Sequence, residues 1–190
     1  NNFTNFYLRF DGKKEKFFIN GASRHSPLNA ALSVAAAIYC GCPLSNIKKR
    51  LKFIDLPERR LAISNSLKGS ILIDDSYNSN PASLKNAVDS LEGLKRKKVC
   101  ILGDMKELGS DSQKIHQEMY EYISERVDQI FCIGDEWSTC SPNEKQDLSI
   151  FENQDDLYSH LISIIDKKTI LLVKGSRSTR MDLLADKLKK

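Results

Sequence analysis

Three runs of four apolar residues, VCIL at 99–102, IFCI at 130–133 and ILLV at 170–173, carry no polar alternation. A strand with one wet face alternates, so each run predicts a strand covered on both faces, as in a parallel sheet. LAIS, SILID, KVCILG, QIFCIG, LSIF and TILLVKG read as strands, and 81–94, 111–126, 153–165 and 177–189 show helical spacing between them. Strict alternation of the two predicts an α/β domain with a Rossmann-like, doubly wound, mostly parallel sheet. Asn80 before Pro81 reads as an N-cap with proline at the first helical position, and Ser110 with Gln113 has the spacing of a capping box.

The alternation starts only after LPERR at 56–60, which places a domain boundary between 60 and 61. Upstream, NFYLRF and KEKFFIN read as a β-hairpin turning at Asp11 and Gly12, a piece expected to belong to a larger sheet. The alanine-rich SRHSPLNAALSVAAAIYCG predicts a helix closed by Gly41, with Leu28, Ala31, Leu32, Ala35 and Ile38 pressed against another element. LSNIKKRLKFI predicts a second short helix after Pro43, with Ser45 or Asn46 available as its cap.

The 190 residues suffice for one core, or for the end of one domain and the whole of another. With 41% hydrophobic and 28% charged residues, no apolar run of bilayer length and no leader pattern, a soluble cytoplasmic protein is expected. Cys40, Cys42, Cys100, Cys132 and Cys140 form no CxxC pair and read as structural thiols of a reducing compartment. The net charge of +4 is spread over scattered lysines and short clusters such as KRKK, so no nucleic-acid partner is expected.

Ligands of open parallel sheets bind at the carboxyl ends of strands, and three polar clusters fall there. KGSRS offers Lys174, Ser176 and Arg177 at the start of a helix, either an anion site or a helix terminus with two solvated cations. GDMKELG offers Asp104 and Glu107, which could bind an ammonium group, orient a cation or, more simply, cap the next helix; His116 beyond it reads as structural on its own. In DDSYNSNP, Asp75 is suited to ribose hydroxyls, Asn78 and Asn80 to closing the turn, while Asp74 beside Asp75, and Tyr77, exceed what a turn needs. No GxxxxGK[ST], GxGxxG or nucleophile with its base is present, so the chain lacks a self-sufficient phosphate cradle or catalytic dyad.

DDSYNSNPASLKNAVDSL, VCILGDMKELGSDSQKIHQ and LLVKGSRSTRM, in that order, resemble the C-terminal half of a Mur ligase. RHSPLNAALSVAAAIYCGCP resembles the helix that ends the family's central ATPase domain, and LPERRL its P-x-G-R linker. The resemblance implies that 1–60 is the remnant of the central ATP-binding domain and 61–190 the Mur ligase C-terminal domain. It implies an ATP- and Mg²⁺-dependent amide ligase, closest to the branch that adds D-alanyl-D-alanine to UDP-MurNAc-tripeptide through an acyl phosphate in peptidoglycan precursor synthesis. Such an enzyme is a monomer acting on small molecules, with no membrane partner.

By the same resemblance, His25 and Asn29 match the adenine-contacting motif, and Arg60 and Asp75 the residues that reach ATP. Tyr77, Asn78 and Asn80 face the interdomain cleft; Lys174, Ser176 and Arg177 lie near the dipeptide carboxylate or the transferring phosphate. Asp104, Glu107 and His116 match the GDMxELG and downstream histidine positions of that cleft. Ser26, Arg59 and Tyr120 depart from the family's asparagine, glycine and glycine. The Walker-type loop, the Mg²⁺ ligands and the UDP-sugar domain are missing, so the 190-residue piece is expected to be inactive alone. A Mur-type ligase adding a single amino acid, or a non-catalytic Rossmann-like binding module, are the alternative readings.

Overall fold

A computed structural model of the chain describes residues 3–10, 12–20, 26–54, 58–142 and 148–190. His25 and Asp11 lie outside these residues. The chain forms two compact units, Asn1–Pro57 and Glu58–Lys190. The division precedes the 60/61 boundary read from the sequence because Arg59 is held by the second unit: its carbonyl accepts the Tyr77 N–H at 3.1 Å, and its guanidinium meets Asp182 at 3.3 Å and Asp186 at 2.8 Å.

In the first unit, strands β1 (Phe3–Phe10) and β2 (Lys13–Asn20) pair antiparallel, and helices α1 (Ser26–Tyr39) and α2 (Leu44–Leu51) cover one face. Phe6, Phe17, Ile19, Val34, Ile47 and Leu51 form its core. Gly41, at φ 79°, ends α1: its N–H donates to Ile38 O and the Cys42 N–H to Ala37 O, both at 2.9 Å, which takes up carbonyls left open by the helix end. The buried side of α1 is Val34 with Ala30, Ala31, Ala37 and Ile38, whereas Leu28 and Leu32 are 63% and 65% exposed. So many apolar residues around α1 let two stripes fit helical spacing, and the sequence alone could not choose between them. Neither Ser45 nor Asn46 caps α2, because the helix begins at Leu44 with Pro43 as N-cap, leaving both inside the first turn.

The second unit carries a six-stranded sheet in the order β3-β4-β8-β5-β6-β7. Its strands are β3 (Ala62–Asn65), β4 (Ile71–Asp75), β5 (Lys97–Gly103), β6 (Gln129–Ile133), β7 (Leu148–Phe151) and β8 (Thr169–Lys174). All neighbours are parallel except the edge strand β3, which runs antiparallel to β4. The helices are α3 (Pro81–Asp89), α4 (Ser112–Ser124), the single-turn α5 (Asp135–Ser138), α6 (Gln154–Ile164) and α7 (Met181–Leu188).

The uninterrupted apolar runs are explained by the two cores. Cys100, Leu102, Ile170 and Leu172 pack with Leu84, Val88, Met119 and Ile123 of α3 and α4, while Val99, Ile101, Leu171 and Val173 pack with Leu157, Leu161, Leu184 and Leu188 of α6 and α7. Successive strand residues point to opposite faces, so a strand sandwiched between helix layers is apolar at every position. The last strand, β8, enters between β4 and β5, which makes the loops after these three strands neighbours at one edge.

The helix starts hold one confirmation and two corrections. Asn80 Oδ1 accepts the Ser83 N–H at 2.8 Å, and Ser83 Oγ accepts the Asn80 N–H at 3.1 Å, a reciprocal cap. No box forms between Ser110 and Gln113, because Gly109–Asp111 is a 3₁₀ turn and α4 begins at Ser112. The stretch 177–189 is not one helix: a 3₁₀ turn, Arg177–Thr179, is separated from α7 by Arg180 in the left-handed conformation at φ 51°.

All five cysteines are free thiols; Cys40 and Cys42 are exposed, and Cys100, Cys132 and Cys140 are buried. Burial pushes the Cys100 thiol up from 9.0 to about 12 and the Cys140 thiol to about 11. Unfolded thiols then ionise before folded ones, so the unfolded state loses protons first and stability falls as pH rises from about 9 towards 12. Alkylation at pH 8 should modify two cysteines in the native protein and five after denaturation, as read by intact mass.

Candidate functional site

The loops after β4, β5 and β8 are tied together through Ser176. Its N–H donates to Asp104 O at 3.0 Å, its hydroxyl accepts the Lys106 N–H at 2.8 Å, and the same hydroxyl faces Ser79 O at 3.4 Å. Close backbone approach makes this possible: a Cβ on Gly103 or Gly175 would come within 2.5 Å of Thr179 Oγ1. Gly134 is required for the same reason, since a Cβ there would sit 2.2 Å from the Asp104 carboxylate.

Beside this knot, Asp75 and Lys174 occupy register-paired positions on β4 and β8. The Lys174 ammonium donates to Asp75 Oδ2 at 2.5 Å and to Asn78 O at 2.8 Å, and Asp75 Oδ1 accepts the Leu61 N–H at 3.0 Å. Lys174 is 2% and Asp75 12% exposed at the side chain. Burial pushes the Asp75 carboxyl up and the Lys174 ammonium down, and the pairing of each with the other opposes that shift. Breaking a buried pair strands the remaining charge and typically costs about 3–5 kcal/mol. The Arg60 guanidinium, exposed, lies over the Tyr77 ring 4.5 Å from its centroid, and Tyr77 is 48% exposed. The corner thus offers a rigid carboxylate edge, an aromatic face and a free cation.

Other expected residues are placed differently. Lys174 is consumed by Asp75, the Ser176 N–H by Asp104 and the helix terminus is displaced to Met181, so KGSRS is not an open anion cradle. Arg177, 62% exposed and 3.7 Å from Asp182, is its accessible cation. Asn80 is a helix cap, and Asn78 contributes its carbonyl to Lys174. Asp104 is buried and paired with Lys106 at 2.8 Å, with a weaker contact from the Trp137 N–H at 3.4 Å. Glu107 is exposed, on a strained backbone at φ 65°.

His116 is fully buried beneath the GDM turn, not at the cleft surface. Its Nε2 accepts the Met105 N–H at 3.1 Å, so the proton sits on Nδ1, 2.8 Å from Ser112 O, and the ring stands edge-on to Trp137 with centroids 4.7 Å apart. Both nitrogens are occupied in holding the turn onto α4. Asn29 is exposed on α1 in the first unit.

Residues 59–177 match the family described as Mur ligase, glutamate ligase domain. The chain belongs to the Mur ligase family. It is 32% identical over 176 residues to the UDP-N-acetylmuramoyl-tripeptide–D-alanyl-D-alanine ligase of Haemophilus influenzae, a match covering 87% of this chain and 38% of that ligase. Its fold superposes on MurF from Acinetobacter baumannii with TM-score 0.84 at 30% identity, covering 98% of this chain and 42% of that one. A MurF ligase from Thermotoga maritima, solved in complex with ADP, shares the fold at TM-score 0.79 with 20% identity, over 96% of this chain and 44% of that one. The chain therefore spans about two-fifths of the length of these relatives.

Within this Mur ligase fold, Arg59 gains an explanation. It stands where the resembling linker has glycine, and its φ of 61° is a conformation that favours glycine. Its ion pairs with Asp182 and Asp186 on α7 offset that strain and pin the linker to this unit. One further residue emerges that motif reading passed over, Lys106, and the role of another, Asp74, is resolved. Lys106, 44% exposed beside the Ser176 knot, adds a cation at the site edge. Asp74 is fully buried and faces away from Asp75: its Oδ1 accepts the Ser76 N–H at 3.2 Å and hydroxyl at 2.6 Å, and Lys189 lies 2.9 Å from Oδ2. Acid–acid adjacency was visible in the sequence, but the alternation of β4 is what splits the pair into one site residue and one structural residue.

Ser176→Ala should leave the Lys106 N–H without its acceptor and cost about 1–3 kcal/mol in denaturant unfolding. His116→Ala should cost about 2–4 kcal/mol by the same measurement, because it orphans the buried Met105 N–H and opens a cavity beside Trp137.

Proposed function

We propose that this chain is the part of an ATP-dependent ligase that closes over the nucleotide and receives the incoming amine, in the joining of D-alanyl-D-alanine to UDP-MurNAc-tripeptide. The observation that carries the reading is the corner of Asp75, Lys174, Tyr77 and Arg60 at the carboxyl edge of β4 and β8, in a chain aligned along 87% of its length with a D-alanyl-D-alanine ligase. ATP supplies the phosphoryl group that activates the tripeptide carboxylate, and the dipeptide amine displaces phosphate as the amide forms.

The residues fit a nucleotide in part. Asp75 is held by Lys174 and the Leu61 N–H, and its remaining exposed edge accepts ribose hydroxyls. Arg60 presents its guanidinium to phosphate oxygens while Tyr77 fixes its plane. From the motif resemblance alone, Asn29 and His25 are assigned in this reading to adenine, and the first unit to the end of the ATP-binding domain. Arg177 and Lys106 are exposed cations flanking the Ser176 knot and take the dipeptide carboxylate. Among the described residues no three His, Cys, Asp or Glu side chains cluster as a metal site. Among them, too, no helix is long and apolar enough to cross a membrane. Our reading has a monomeric enzyme carrying out this reaction in the cytoplasm.

A chimera in which this chain replaces the matching part of the Haemophilus influenzae ligase tests the proposal. It should release phosphate from ATP when given UDP-MurNAc-tripeptide and D-alanyl-D-alanine, and Arg60→Ala should lower kcat/KM about 100-fold. The 190-residue chain alone should release none. Phosphate release supported by a single amino acid and not by the dipeptide would favour a different Mur-type ligase, and a folded chimera without turnover a non-catalytic module.

A further inference from the structure

Asp182 lies one residue past the LLVKGSRSTRM motif, at the second position of α7, and its side chain is 7% exposed. Three guanidinium groups converge on its carboxylate. Arg59 Nη1 lies 3.3 Å and Arg177 Nη1 3.7 Å from Oδ2, and Arg180 Nε lies 3.3 Å from Oδ1. One of the three comes from the linker that opens this unit and two from the loop after β8. An acid in the first turn of a helix complements the helix N-terminus while fully in water, so that role requires neither burial nor three arginines.

Two of these arginines sit on strained backbone. Arg59 has φ 61° and Arg180 φ 51°, a region that favours glycine. Such conformations persist where surrounding contacts over-determine them, and the ion-pair partner common to both is Asp182. Arg59 Nη1 is buried and makes no hydrogen bond among the described residues, which leaves this ion pair to offset its burial.

The two segments carry the exposed cations of the site. Arg59 O accepts the Tyr77 N–H at 3.1 Å, and the next residue, Arg60, lies over the Tyr77 ring, so holding Arg59 holds both halves of that stack. Arg177 is drawn by the same carboxylate to the edge of the Ser176 knot. We propose that Asp182 is a positioning residue: through Arg59 it keeps Arg60 over Tyr77, and directly it aims Arg177, so that one buried carboxylate fixes two exposed cations of the site. What those cations bind, a phosphate and a carboxylate, rests on the ligase reading; the positioning itself does not.

Amide exchange followed by NMR on the 190-residue chain tests the positioning. Asp182→Asn should speed exchange of the Tyr77 N–H about tenfold and leave that of Met105, held by His116, unchanged. Arg59→Gln should have the same effect and the two together no more; Arg59→Gln also serves should Asp182→Asn fail to fold. Asp155→Asn, which breaks the exposed pair of Asp155 with Lys187 of α7, should change neither amide. In the chimera, Asp182→Asn should lower kcat/KM about tenfold, and Arg60→Ala, which costs about 100-fold alone, should cost only about tenfold in that background, because a guanidinium already out of place has less to lose. A purely structural role for Asp182 would leave Arg60→Ala at the same cost in both backgrounds, and that result would overturn the proposal, as would unchanged Tyr77 exchange in the two single variants. An unsubstituted chimera without turnover counts against the ligase reading, and the exchange result then decides the proposal by itself.

Discussion

A lysine ammonium buried at the end of β8 is the constraint around which the site is organised. An unpaired charge at 2% exposure would be prohibitively costly, so Lys174 needs a carboxylate and a further acceptor within reach. Asp75 supplies the first from the adjoining strand and Asn78 the second from the turn that follows it. These demands require β8 beside β4, require the DDSYN turn to fold back over the strand end, and draw in the Leu61 N–H to complete the carboxylate. The bond network leaves Arg60 and Tyr77 as the accessible parts of a corner whose interior is already satisfied.

The same economy governs the neighbouring loops. Ser176 joins three segments far apart in sequence because Gly103 and Gly175 let their backbones approach Thr179 more closely than any side chain allows. Asp104, His116 and Trp137 form the floor under the second loop, so conspicuous motif residues turn out to hold the loop that carries Lys106. Rigidity here is of a kind that favours binding, since groups that meet a ligand need little ordering on its arrival.

Much of the fold was legible. Apolar runs without alternation announced strands covered on both faces, and Asn80-Pro81 announced a helix start, because each signal acts within a few residues. The face of α1 was not legible, since Leu28 and Leu32 satisfy helical spacing as well as Val34 does, and only the hairpin core decides between them. Nor was the fate of KGSRS: whether Lys174 meets an anion or a carboxylate depends on which strand lies beside it, and that neighbour is 99 residues away.

By itself the sequence determined the strand and helix alternation, the polar clusters at strand ends and the family to which the motifs belong, all of which follow from local spacing and residue chemistry. Tertiary structure alone decided which of those polar residues are exposed. By inserting β8 between β4 and β5, it turned Lys174 inward onto Asp75 and tied Ser176 to the backbone of Asp104, while His116 was buried under the turn at Met105. Arg60, Tyr77, Lys106 and Arg177 were left facing solvent. The physical reason is that a polar group's role is fixed by where its hydrogen-bond partner comes from, and in this sheet the partners come from distant parts of the chain.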